Sequence, residues 1–206
     1  MSKHLLRICG VARVAVIALH IASPAIAQNN DQTANLRGTV VSYSDSTLKV
    51  KSRQGALVDV QLADGWKIAS LARASVESIK PGDYVGIASL PKGSGDQALE
   101  VLIFPPAMKG QGEGSHDWDL KPHSSMTNAS VSNLVKGVEG QTVTLSYGNQ
   151  QKTLTIPSGA PVVTLAPATP DDLKPGAAVF IPKAGAGDKV TAHQVLVGKD
   201  GIVPPM

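Results

Sequence analysis

The chain has 206 residues, 42% of them hydrophobic but only 3% aromatic, with 19 Lys and Arg against 16 Asp and Glu. The pI near 9.0 suggests a basic protein, yet Lys3, Arg7 and Arg13 all fall at the start, and without them 16 residues of each sign remain. A balanced chain with few aromatics lacks both the phosphate-neutralising charge and the stacking surfaces of nucleic-acid binders, so nucleic acid is not an expected partner.

Residues 1–27 have the three parts of a secretory signal: the basic start, an apolar stretch from Val14 to Ala22, and the small-residue exit Ala25-Ile26-Ala27. The apolar stretch is shorter than the roughly 20 residues that cross a bilayer. Cleavage after Ala27 would remove Cys9, the single cysteine, and with it all thiol chemistry. No later stretch is long and apolar enough to span a membrane. The expected product is a periplasmic or secreted bacterial protein without a transmembrane span.

After an N-terminal arm at 28–35, short alternating segments predict strands near Leu36–Ser42, Thr47–Ser52, Leu57–Leu62, Asp83–Leu90 and Ala98–Phe104. Residues Leu71 to Ile79 predict the one helical stretch. Beyond a connector at 105–130, strands are predicted near Ser130–Val138, Thr142–Ser146, Gln151–Ile156, Ala177–Pro182 and Val190–Val197, before a tail at 201–206. The two halves are copies of one unit. Ile79-Lys80-Pro81-Gly82 returns as Leu173-Lys174-Pro175-Gly176 about 94 positions on. Thr47-Leu48-Lys49-Val50 returns as Thr142-Val143-Thr144-Leu145, and Leu99-Glu100-Val101 as His193-Gln194-Val195. Pro followed by Gly suits a type II turn, which demands positive φ at Gly82 and Gly176. Five short strands in about 65 residues bury one face best by curling closed. The expected fold is all-β: two tandem small OB-like or SH3-like β-barrels, at 36–104 and 131–200, joined by an irregular connector.

With the strand order and the Lys-Pro-Gly turn in hand, each unit resembles a bacterial domain-of-unknown-function family of extracytoplasmic OB-like barrels, often in tandem. The pattern shows in Gly38-Thr39-Val40-Val41, Thr47-Leu48-Lys49-Val50, Ile79-Lys80-Pro81-Gly82-Asp83 and Ala98-Leu99-Glu100-Val101. The resemblance implies fold and says little about activity. Some two-repeat look-alikes carry a metal-transporter permease label, which conflicts with a sequence lacking several membrane spans.

The connector concentrates the chemistry. It holds His116 and His123, the carboxylates Glu113, Asp117 and Asp119, and Trp118. Imidazole with carboxylate suits zinc, copper or nickel, so a divalent transition metal is the cofactor class left open. The same cluster also suits a structural loop or a contact for a partner or small ligand. Trp118 is expected to cover an apolar seam with its N–H on a polar partner, and Trp66 to sit at a barrel mouth. Met108 and Met126 flank the connector, as copper(I) ligands or as gap-filling side chains. His193 is expected on an exposed strand face. Ser124-Ser125 beside His123 lacks the context of a nucleophile elbow. These features point to an exported, non-enzymatic binding or interaction module, whose partner is an envelope protein or a small ligand. The alternatives are a periplasmic metal-handling protein using the connector, and a hydrolase with dispersed residues.

Overall fold

The structure, a computed structural model, describes residues 34–138, 140–185 and 190–205. The signal segment and nearly all of the arm lie outside the described residues. Regular structure in the described residues is strand, apart from three single-turn 3-10 segments. Strands β1 (Ala34–Ser44), β2 (Thr47–Ser52) and β3 (Leu57–Arg73) form a meander. Strands β4 (Tyr84–Lys92) and β5 (Gly95–Ile103) form a hairpin. Strand β6 (Gly114–Trp118) pairs with the start of β7 (Ser124–Gly137), which leads into β8 (Gly140–Tyr147) and β9 (Gln150–Pro157). Then follow β10 (Val162–Pro167), β11 (Ala178–Ala184) and β12 (Val190–Gly198). Alternation does what period-2 patterning requires: Leu48 and Val50 in β2, like Val143 and Leu145 in β8, are buried between more exposed neighbours.

The all-β prediction holds, but the barrels are not sequence-contiguous. One closed cycle runs β12-β11-β1-β2-β3 and returns to β12 through a parallel β3–β12 pairing. The other runs β5-β4-β7-β8-β9 and returns through a short parallel β5–β9 pairing at Asp96↔Leu154 and Gln97↔Thr155. Each cycle therefore takes three strands from one repeat and two from the other. The boundaries 36–104 and 131–200 do not correspond to the closed units. The cores follow the exchange. Val40, Leu48, Val50 and Val60 share one with Val179, Ile181, Val195 and Val197. Val85, Ile87 and Val101 share the other with Val131, Val143, Leu145, Leu154 and Ile156.

The Lys-Pro-Gly turns show why. Gly82 and Gly176 have φ of +95° and +91°, as the type II turn requires. Each turn hooks onto the first strand of the opposite repeat: Gly82 N donates to Val131 O at 2.8 Å, and Gly176 N to Val40 O at 2.9 Å. The relation is a local two-fold. Strands β3 and β10 cross antiparallel with Leu71 opposite Leu165, repeat-equivalent residues paired with each other. The parallel pairs Leu196↔Ala69 and Leu102↔Val163 are also equivalent under the same shift of 94.

Two local expectations are corrected, and one strand is added. The stretch Leu71–Ile79 is not helical: β3 runs on to Arg73, and only Val76–Ser78 forms a single turn. Pairing with β10 and β12 supplies the backbone partners that override a weak helical pattern. Strand β10 was not anticipated. The connector is not irregular throughout, because β6 and the first residues of β7 pair across it.

Candidate functional site

The two cycles meet at a third apolar cluster, formed by Leu71, Leu102, Val163, Phe180, Leu196 and Ile202. At its edge lies a cavity of about 270 Å³. One barrel contributes Phe180, Pro182, Lys183, Gln194 and Leu196; the other contributes Gly86, Leu102, Phe104, Met126 and Asn128; Leu165 comes from the crossing strand. The connector closes the rest with Met108, Gln111, Gly112, His116 and Trp118. Gly86 is repeat-equivalent to Phe180. A Cβ at Gly86 would meet Asn128 Oδ1 at 2.7 Å and the Phe104 ring at 3.1 Å, so these two side chains close over the bare glycine backbone and fill the place a side chain would take.

Strand β6 sets the aim of the connector residues. His116 and Trp118, two apart, both reach the cavity, with ring centroids 6.1 Å apart in an edge-on arrangement. Trp118 meets Phe180 edge-on at 6.1 Å. The Arg37 guanidinium lies over both rings, 5.7 Å from Trp118 and 5.0 Å from Phe180. Arg37 also grips Asp119 in a bidentate pair, Nη2 to Oδ1 at 2.6 Å and Nη1 to Oδ2 at 2.9 Å. Asn35 Nδ2 donates to Asp119 at 2.9 Å, and Asn35 Oδ1 accepts from Lys183 N at 3.1 Å. Burial alone would raise the Asp119 carboxyl, but the hydrogen bonds from Arg37 and Asn35 outweigh it and hold it below its ordinary value. The connector is thus clasped to the first strand of the chain.

Trp118 covers the seam as expected, but its indole nitrogen is buried without a hydrogen-bond partner. An orphaned donor costs about 1–3 kcal/mol. Two ring contacts of roughly 0.5–1.5 kcal/mol each, together with the guanidinium, are large enough to offset that cost.

The other predicted site residues are dispersed. Glu113 Oε1 accepts from Gly148 N at 2.7 Å. Asp117 is exposed on the face of β6 opposite His116. His123 sits in the turn after β6 with φ of +64°. Among the described residues no group of three or more His, Cys, Asp or Glu side chains is placed to hold a metal ion. Met108 and Met126 both line the cavity. Trp66 is away from it, packed in the first barrel core and edge-on to Tyr43 at 6.2 Å. His193 is an exposed strand residue. Ser125 meets a lysine rather than a histidine: Lys152 Nζ lies 3.0 Å from Ser125 Oγ, 3.2 Å from Ser89 Oγ and 2.7 Å from Asp96 Oδ2. That cluster ties β4, β5, β7 and β9 together beside the short parallel pairing that closes the second barrel.

Sequence reasoning missed Arg37, Phe104, Phe180, Lys183, Asn128 and Gln194. It also missed Glu100, whose carboxylate oxygens are buried without a partner. Burial pushes the Glu100 carboxyl up to about 8, against the opposing pull of Arg37 and Arg53. The repeat alignment held the available signal, since Glu100 matches Gln194, an uncharged residue of the cavity wall.

Comparison with known proteins finds no matching family model, curated protein or solved structure.

Proposed function

We propose that this chain is an exported, non-enzymatic binding module, in which the seam cavity seats a small, largely apolar ligand. The observation that carries the reading is the cavity wall: Trp118, Phe104, Phe180, Met108 and Met126 beside a few amides, in a concave site between two barrels. Met side chains adapt to varied ligands, while the clasped Trp118 supplies a fixed face. Export rests on the basic start, the apolar stretch and Ala25-Ile26-Ala27.

The test is a heteronuclear NMR screen of the purified protein with small aromatic fragments. We expect some fragments to shift resonances of Trp118, Phe104 and Phe180 together, and a Trp118→Ala variant to bind those fragments at least about tenfold more weakly, as loss of a buried aromatic wall implies. A screen that leaves the seam resonances unmoved would overturn the reading.

A further inference from the structure

We propose, resting on that binding reading, that the ligand is a small amphipathic anion: a compact apolar body bearing one carboxylate-type group, whose negative end meets Lys183. The cavity, at about 270 Å³, is slightly below the size of drug-binding pockets, so it suits a single ring with a short arm. Its charge is one-sided. Among the described residues no Asp or Glu lines it, and Lys183 is the one lysine or arginine that does. The Asp119 carboxylate nearby in sequence is taken up by Arg37 and Asn35. The remaining polar groups include the amides of Asn128, Gln194 and Gln111, whose N–H groups can donate to an oxyanion.

Lys183 is also placed there by a backbone device. Pro182 and Lys183 both line the cavity although they are consecutive in a strand, where neighbours should face opposite ways. The register explains it. Ala184 pairs with Ala34 and Ile181 with Leu36, so two residues of β11 oppose the single residue Asn35 of β1. This is a β-bulge, a feature that re-aims side chains beside binding and active sites. Lys183 takes φ of +49°, left-handed and costly for a lysine. Asn35 Oδ1 holds it by accepting from its backbone N–H. The repeat-equivalent residue in the second barrel is Ser89, fully buried and hydrogen-bonded. Of this repeat-related pair, the exposed Lys183 lines the cavity and Ser89 does not.

The experiment is titration calorimetry with three probes of one shape: 3-phenylpropionate, 3-phenylpropionamide and 3-phenylpropylamine. We expect the carboxylate to bind about fivefold or more tightly than the amide, and the amine most weakly, which is the scale of one partly exposed ion pair. Lys183→Met should reduce the carboxylate to the affinity of the amide and leave the amide unchanged. Lys183→Arg should keep the preference. Equal binding of carboxylate and amide would overturn the anion assignment while leaving the binding module intact. Binding of none of the three, together with an unmoved NMR screen, would remove both.

Discussion

At the scale of single residues, Glu100 is the least expected side chain. Its carboxyl is 1% exposed, and neither oxygen has a hydrogen-bond partner. With the acid pushed from 4.5 to about 8, the folded protein keeps a proton at neutral pH that the unfolded chain releases. Stability contributed by that proton is complete below the unfolded value and is lost as pH rises through the folded one. Between about pH 4.5 and 8 the loss should approach 1.4 kcal/mol per pH unit. Asp119, Asp172 and Glu77 are shifted down and act in the opposite sense, so the test must be a difference between two proteins. Glu100→Gln, which copies the residue at the equivalent Gln194, removes the titration and leaves side-chain volume nearly unchanged. We expect the variant to be the more stable protein at pH 8, with an advantage that shrinks steadily towards pH 5. Urea midpoints across that range check it, and an advantage independent of pH would show that Glu100 is not a buried acid.

At the scale of elements, the Lys-Pro-Gly turns are the clearest link from sequence to fold. The positive φ of Gly82 and Gly176 was readable because Pro fixes one half of a type II turn and only glycine fits the other without strain. A Cβ at either glycine would meet nothing within 4 Å, so a substitution there is opposed by the backbone alone. Gly82→Val and Gly176→Val should each cost about 1–3 kcal/mol, or several degrees of melting temperature in a protein of this length. Similar penalties are expected, because the two turns make equivalent hooks onto Val131 and Val40. A negligible loss at both sites by thermal denaturation would mean that the turns do not organise the crossing. Strand β6 was less legible. Ser115-His116-Asp117-Trp118 lies on a strand that pairs among the described residues only with β7 and is mostly exposed, so it carries little apolar period to detect. The place of Lys183 in the cavity wall was not legible at all, since it comes from a bulge that depends on register with Asn35, a partner nearly 150 residues away.

At the scale of the whole molecule, the repeat was visible and the exchange was not. The alignment of Ile79-Lys80-Pro81-Gly82 with Leu173-Lys174-Pro175-Gly176 identifies two equivalent units, yet periodicity cannot say which copy supplies a strand's neighbour, because both copies offer the same pattern. The decision lies in β3, which runs seventeen residues and carries the chain out of the first barrel before β4 begins. By then β4 and β5 are beside β10 and β7, and the first barrel waits for β11 and β12. This makes a prediction about half of the chain. A fragment of residues 28–109 contains one whole repeat, so contiguous barrels would make it a folded monomer. In the exchanged fold it holds three strands of one barrel and two of the other, and Val40, Val50 and Val60 lose Val179, Val195 and Val197 as core partners. We expect the fragment either to stay unfolded or to pair with a second copy, each completing the other through the Lys-Pro-Gly hook, because the partner strands of the second repeat are close copies of its own. Sedimentation and circular dichroism distinguish these outcomes. A monomeric fragment with strand-type dichroism and cooperative unfolding would show that one repeat closes by itself, and that the exchange is not needed to bury its core. Adding a fragment of residues 110–206 should convert the first fragment into a one-to-one complex that recovers the seam, reported by a change in the fluorescence of Trp118 as Arg37 of the first fragment comes to lie over its ring. A mixture that fails to associate would contradict the shared cores.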